Sequence, residues 1–311
     1  MTICSDIVSF RLLNRHRHAA RSWKRAIIAA LLLPLVLLAG CSSVRLGYNQ
    51  GPQLVWWWVD GYVDFDDAQA RRVKASLAAW FDWHRSTQLT GYAGFLAGLA
   101  QQVTEPATPA QMCRINDQVR ERLQPAIDRA VELAADHVTT LSERQIQHIE
   151  ARQLKANADA REEYLQPDPK KRREAAVDRA VGRFESLYGS VNKVQRALIE
   201  ASVASTPFDA GQWMIERERR QLDLVQLLRQ LSAERAGRDR ALAGLKKLAD
   251  GWDDSPRPDY RARQVRLTEH NCQLAAQVHN AATREQREKA RAKLKGWEED
   301  LRALAAQPAS P

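Results

Sequence analysis

At six boundaries along the chain a short polar side chain is followed three residues later by glutamine: Asp66/Gln69, Thr108/Gln111, Ser142/Gln145, Asn192/Gln195, Asp209/Gln212 and Thr283/Gln286. That spacing is a capping box, in which the first side chain accepts from a free N–H in the first helical turn and the glutamine reaches back to the first residue's own N–H. The supply of Ser, Thr, Asn, Asp and Gln would generate roughly four such spacings by chance, so the weight lies on their placement after chain-breaking residues. At two boxes a hydrophobic staple brackets the start, Leu141 with Ile146 and Phe208 with Trp213. With repeated helix starts and no strand-period alternation, the chain reads as all-α, a multi-helix bundle or array in one domain.

Prolines and glycines divide it further. A first amphipathic helix closes on Trp80, Phe81 and Trp83, and a break at Thr90-Gly91 leads into an apolar stretch from Tyr92 to Val103. Gly94 and Gly98 in that stretch have the spacing of a close helix contact, and the stretch is too short to span a bilayer. Further helices are expected at 109–138 with a kink at Pro125, then 142–165, 171–188, 192–204, 210–231, 233–250, 258–280 and 283–306. Their apolar residues fall on single faces, as in Val177, Val181, Phe184 and Leu187, in Leu224, Leu227, Leu228 and Leu231, and in Leu294, Trp297, Leu301 and Leu304.

The N-terminus carries an address. Arg11, Arg15, Arg17, Arg21, Lys24 and Arg25 precede an apolar run from Ala26 to Ala39, interrupted by Pro34, and the run ends in Leu38-Ala39-Gly40-Cys41. A basic region, a short apolar core and small residues before a cysteine make a lipoprotein signal peptide. Cleavage before Cys41 leaves that residue carrying acyl chains, and several chains hold a protein durably where one does not. Ser42 favours sorting to the outer membrane, so the expected location is the cell envelope, lipid-anchored and facing the periplasm. The chain is accordingly divided into a signal peptide at 1–40, a lipidated tether and aromatic segment at 41–65, a helical periplasmic domain at 66–306 and a disordered tail at 307–311.

Removal of the leader changes the charge and cysteine arguments. The whole chain has a formal net charge of +9, but the leader holds six basic residues and one acidic residue, so the mature chain is at +4. A basic chain suggests nucleic acid, but here much of the excess leaves with the leader and the compartment holds no nucleic acid. Cys4 departs with the leader and lipid consumes Cys41, leaving Cys113 and Cys272, an even pair that reads as one disulfide in an oxidising compartment. Closing so long a loop stabilises by about 5 kcal/mol on the chain-entropy model.

Four segments resemble a family of Gram-negative lipoproteins, domain of unknown function 6279. They are Trp57-Trp58-Val59-Asp60-Gly61-Tyr62, Trp83-His84-Arg85, Ser205-Thr206-Pro207-Phe208-Asp209 with Glu216-Arg217, and His279-Asn280 through Gln286-Arg287 to Leu294-Lys295-Gly296-Trp297-Glu298. Cys113 and Asn271-Cys272 also fall where that family carries cysteines. The resemblance implies an all-helical lipoprotein and no activity. Separately, Leu141-Ser142-Glu143-Arg144-Gln145 is similar to the Leu-Thr-x-x-Gln signature of Spy-type periplasmic chaperones, a pattern that is also a good helix start.

No catalytic constellation is legible. The five histidines after the leader, His84, His137, His148, His270 and His279, form no His-Glu-x-x-His pair, and one helix places His270 and Cys272 on different faces, so no metal and no cofactor are expected. No Gly-x-Ser-x-Gly elbow or phosphate loop is present. A pocket holding His84 or His279 with an ordered carboxylate would reopen the question. Of the acidic cluster Asp60, Asp64, Asp66 and Asp67, Asp66 is read as a helix cap. Of Trp56, Trp57 and Trp58, at least two are expected in the core, with membrane contact the lesser reading. Lys170 to Arg173 and the arginines at 257–266 read as solvated helix faces. The expected function is a non-enzymatic helical interaction or scaffold protein with an envelope protein partner, no nucleic-acid partner and no small-molecule substrate; the alternative is a Spy-like holdase.

Overall fold

The computed structural model describes residues 43–308, in two compact units divided between Asn49 and Gln50. The leader, Cys41 and Ser42 lie outside the described residues, as do residues 309–311. Within the first unit the described part is one helix, α1 (Ser43–Asn49).

The second unit is built from helices alone among its described residues: α2 (Gly51–Val63), α3 (Asp67–Thr87), α4 (Leu89–Gln102), α5 (Pro109–Val138), α6 (Glu143–Tyr164), α7 (Pro169–Tyr188), α8 (Lys193–Ser205), α9 (Ala210–Ala233), α10 (Arg238–Asp253), α11 (Pro258–Asn280) and α12 (Arg284–Ala305). The segment expected as a tether is helical on both sides of Gln50. Pro52 sits in the first turn of α2, where its missing N–H costs nothing. Gly51 lets the chain pass against the Phe81 ring, since a Cβ there would come within 2.7 Å of Cζ. The break expected at Thr90-Gly91 falls instead at Gln88, leaving both residues inside α4. The start of α10 shifts to 238 because Gly237 takes the cap position and Arg235 adopts a left-handed conformation before it.

Five of the six expected capping boxes are complete, with both hydrogen bonds made, at Asp66, Thr108, Ser142, Asn192 and Thr283. The sixth is half-formed: Asp209 accepts from the Gln212 N–H, with no reciprocal bond from the glutamine. α5 continues through Pro125, and side-chain donors from neighbouring helices reach the carbonyls of that turn. Tyr92 Oη donates to the Arg122 carbonyl at 3.0 Å and Trp80 Nε1 to that of Ala126 at 3.2 Å.

α5 is a central element that packs on α3, α10 and α11, while α4 lies along α12, α6 along α9 and α7 along α8. Among the described residues, three apolar clusters tie the helices together. Leu141, Ile146, Ile149, Val225 and Leu228 join the start of α6 to α9, and the expected staple is part of this cluster. Val177, Val181, Ile199 and Val278 join α7, α8 and α11, and Ala135, Leu231 and Ala241 join α5, α9 and α10. The α4 contact corrects one expectation: Cβ atoms on Gly94 and Gly98 would meet nothing within 4 Å. The buried small residues are Ala93 and Ala100 on α4 and Ala290 on α12, so an alanine stripe makes the close approach and the glycines face away. At the start of the expected tail, Arg85 Nη1 donates to Gln307 Oε1 at 2.6 Å.

Candidate functional site

The capping glutamines do more than close their own helices. Gln69 and Gln145 face each other across the starts of α3 and α6, with Gln145 Nε2 donating to Gln69 Oε1 at 2.6 Å. Each also reaches the other's loop, Gln69 to the Thr140 carbonyl at 2.9 Å and Gln145 to that of Asp64 at 3.0 Å. The same arrangement recurs at the starts of α8 and α12: Gln286 Nε2 donates to Gln195 Oε1 at 2.8 Å, Gln195 to the Val278 carbonyl and Gln286 to that of Ser190. All four glutamines are buried. Two pairs of helix starts are thus locked together by buried amide groups whose donors and acceptors are met. Gln145, the glutamine of the chaperone-like signature, is one of the four.

Beside the second pair, residues of the fourth resemblance segment grip the loop between α4 and α5. His279 is 2 % exposed; its Nε2 lies 2.6 Å from the Glu105 carbonyl and its Nδ1 2.8 Å from the Tyr188 hydroxyl. A carbonyl can only accept, so Nε2 carries the proton and Nδ1 accepts from Tyr188. Asn280 pairs with both backbone groups of Ala107, accepting from its N–H at 2.8 Å and donating to its carbonyl at 2.9 Å. Arg287 Nη1 donates to the Thr104 carbonyl at 2.7 Å. Burial lowers the pKa of His279 and pushes that of Tyr188 up to about 12, so both are neutral at physiological pH.

Glu105, Ala107, Tyr188 and His279 of this clamp line part of a cavity of about 610 Å³ between α4, α5, α7, α11 and α12. Leu99, Val103, Met112, Ile115, Phe184 and Leu187 line it, all half-buried, while Gln102, Glu105 and Arg183 stand exposed at its rim. Two of its walls are covalently tied: Cys113 of α5 and Cys272 of α11 form a disulfide with Cα atoms 5.3 Å apart. The cavity therefore contains His279, but the partners of that ring are a phenol and a backbone carbonyl.

The remaining histidines are scattered. His84 stacks on Trp80 with centroids 4.7 Å apart and meets the edge of Tyr92, and burial lowers its pKa. His137 pairs with Ser76, His270 with Ser202, and His148 with the Gly61 carbonyl. Among the described residues no group of three or more His, Cys, Asp or Glu could hold a metal ion. No described helix is long and apolar enough to cross a membrane.

Two readings need correction, those of the tryptophans and of Arg257, while the Asp66 cap is as expected. Only Trp56 is buried, stacked on Phe65 at 5.9 Å, whereas Trp57 and Trp58 are 62 % and 65 % exposed. α2 packs on α3 and α6 and can bury only the face turned toward them. The acidic cluster has separate duties: Asp66 caps α3, Asp60 accepts from the Phe65 N–H, and Asp64 pairs with Arg144. Arg257 is not on a solvated face. Together with Arg220 and Ser255 it donates to one oxygen of Glu216, at distances of 3.1, 2.8 and 3.0 Å, and Glu216 is 2 % exposed. In the sequence Glu216 stands out only as part of the family resemblance. Its signal was helical spacing, since Glu216 and Arg220 continue the face of Leu224 and Leu227 that turns toward α10.

A family model described as a family of unknown function (DUF6279) matches residues 61–261, from the end of α2 to the first turn of α11. No curated protein and no solved structure matches the chain.

Proposed function

The chain belongs to the DUF6279 family, and on that premise we propose that it is a lipid-anchored, non-enzymatic protein of the Gram-negative envelope, whose helical array receives apolar side chains of one protein partner in the α4–α5–α7–α11–α12 cavity. The basic leader and the Leu38-Ala39-Gly40-Cys41 sequence support the anchor. The observation that carries the binding role is the cavity itself: an apolar interior, an exposed polar rim and a size suited to one or two large anchor side chains, as at the centre of a protein interface.

Its stiffness favours a single partner over many clients. The clamp pins part of the lining and the disulfide ties two walls, while Met112 is the only one of the three methionines among its lining residues. Surfaces that accept unrelated clients re-pack through flexible, methionine-rich side chains. The Leu141-Ser142-Glu143-Arg144-Gln145 likeness, which motivates the holdase reading, is accounted for by helix capping and the Gln69 pair.

The test is photocrosslinking in intact cells from a reactive side chain at Ile115, with Arg196 on α8 as the remote control. A single discrete adduct from Ile115 and none from Arg196 supports the proposal; equal labelling from both contradicts it. A ladder of unrelated adducts, together with suppression of client aggregation without ATP, would transfer the assignment to a holdase.

A further inference from the structure

Leu54, Trp57, Trp58 and Gly61 lie at i, i+3, i+4 and i+7 along α2, so they share one face. Leu54 is 50 % exposed, and with the two tryptophans it forms an apolar stripe directed away from α3 and α6. Trp58 packs against Tyr62 with the ring centroids 5.1 Å apart and the planes tilted by 46°, extending the aromatic surface toward the end of the helix. A cation borders it at the Tyr62 end, where Arg152 of α6 stands 5.5 Å from the ring centroid; Lys74 of α3 stands 4.6 Å from the ring of the buried Trp56, on the other side of the helix. Arg71 and Lys155, on the same two helices, are exposed. The nearby carboxylates are engaged, Asp60 with the Phe65 N–H and Asp64 with Arg144.

We propose that this face of α2 lies in the headgroup layer of the bilayer, with Trp57 and Trp58 at the boundary with the acyl chains and Arg152 against anionic lipid phosphates. Tryptophan and tyrosine have an apolar body and a polar tip suited to that layer, and flanking lysine and arginine favour anionic lipid. The chain between Cys41 and Leu54 limits where the face can be. Thirteen residues span ~45 Å at full extension, and the helical geometry of Ser43–Asn49 shortens that reach. The stripe is therefore held close to the surface that carries the acyl chains, where tethering gives even a weak insertion a high effective concentration. The proposal rests on the lipid-anchor reading for its choice of partner. It adds that the second unit rests on the membrane through α2.

Electron paramagnetic resonance depth measurement tests this. With Cys41 acylated and Cys113 bonded to Cys272, a Gly61→Cys substitution offers the mature protein's one labelling site, at a position where a Cβ meets nothing within 4 Å and both tryptophans are kept. The full acylated protein is reconstituted in vesicles of phosphatidylethanolamine and phosphatidylglycerol. The ratio of oxygen to nickel-chelate collisions at Gly61→Cys is expected to be severalfold higher than at Arg196→Cys, and to fall to the control value when Trp57→Ala and Trp58→Ala are added. A Gly61→Cys ratio equal to the control overturns the proposal while leaving the anchor standing; so does dipolar broadening between labels, which would place a second copy of the chain on this face. If the intact mass shows no acyl chains, the anchor reading has failed on its own. Docking is then read by cosedimentation of the same chain with these vesicles, where the parent is expected to pellet and the double tryptophan variant to remain in solution. A parent chain that also remains in solution overturns the docking.

Discussion

Replacing Glu216 with alanine removes the carboxylate oxygen shared by Arg220, Ser255 and Arg257 at the junction of α9, α10 and α11. Deleting one partner of a buried charge cluster typically costs ~3–5 kcal/mol, because the remaining charges stay partly desolvated. Two features place this site at the lower end. The side chains of Arg220 and Arg257 keep 18 % and 26 % exposure, and Arg257 Nη2 retains Asp223 at 2.7 Å. A loss of about 3 kcal/mol follows, which in a domain of this size lowers the melting temperature by about 6 °C. Glu216→Gln keeps the acceptor and loses the charge, and should fall between the parent and Glu216→Ala. The control is Glu218→Gln, two residues along the same helix, where the partly exposed pair with Arg161 predicts a shift of ~1 °C or less. Thermal melts followed by far-ultraviolet circular dichroism separate these cases. If Glu216→Ala and Glu218→Gln melt together, the buried cluster does not hold the junction in the way argued.

Burial lowers the pKa of His84, His137 and His279, so the unfolded chain binds more protons than the folded one as pH falls through the unfolded histidine value. Stability from these groups is full above about pH 7 and declines below about pH 6.5, so the urea midpoint should drop between pH ~7.5 and ~5; a flat midpoint contradicts the buried, neutral assignment. Gly51→Ala forces a Cβ against Phe81 and should destabilise by ~1–3 kcal/mol, relieved in part by adding Phe81→Leu; a neutral Gly51→Ala in chemical denaturation would refute the close approach. Gln286→Ala breaks a capping box and its bonds to Gln195 and Ser190 and should cost ~2–3 kcal/mol, several times the effect of Gln212→Ala, whose side chain makes no reciprocal cap bond; equal effects in urea titrations would contradict the paired-glutamine account.

Local rules exposed the helix starts because a capping box is confined to four residues, and five boxes are complete where the sequence places them. The partner of each glutamine was not legible. Gln69 finds Gln145 at a separation of 76 residues and Gln195 finds Gln286 at 91, distances over which no spacing rule operates. Gly94 and Gly98 misled for a related reason, since small residues mark a close contact without saying which of them faces the neighbour; the alanines do. At least two of Trp56, Trp57 and Trp58 are expected inside from the sequence, yet only Trp56 is buried, because burial on a peripheral helix follows its orientation and not its composition. Glu216, in the run Glu216-Arg217-Glu218-Arg219-Arg220, has the look of a solvated face and becomes a buried charge only because Arg257 and Ser255 close over it. The cavity was not legible either, because its lining comes from helices far apart in sequence: Phe184, Leu187 and Leu294 read as parts of separate apolar faces, and no spacing rule brings them to His279.

The envelope partner, the membrane contact of α2 and the oxidising setting of the Cys113–Cys272 bond all depend on Cys41 becoming the acylated first residue of the mature chain. The direct measurement is intact mass together with radiolabelled palmitate incorporation for the protein purified from cells, beside a Cys41→Ala variant. The account predicts a chain beginning at Cys41, with the mass of attached acyl chains and palmitate label, and an unlabelled, uncleaved Cys41→Ala protein. Label persisting in Cys41→Ala, or a parent chain that retains residues 1–40 without lipid, would contradict it.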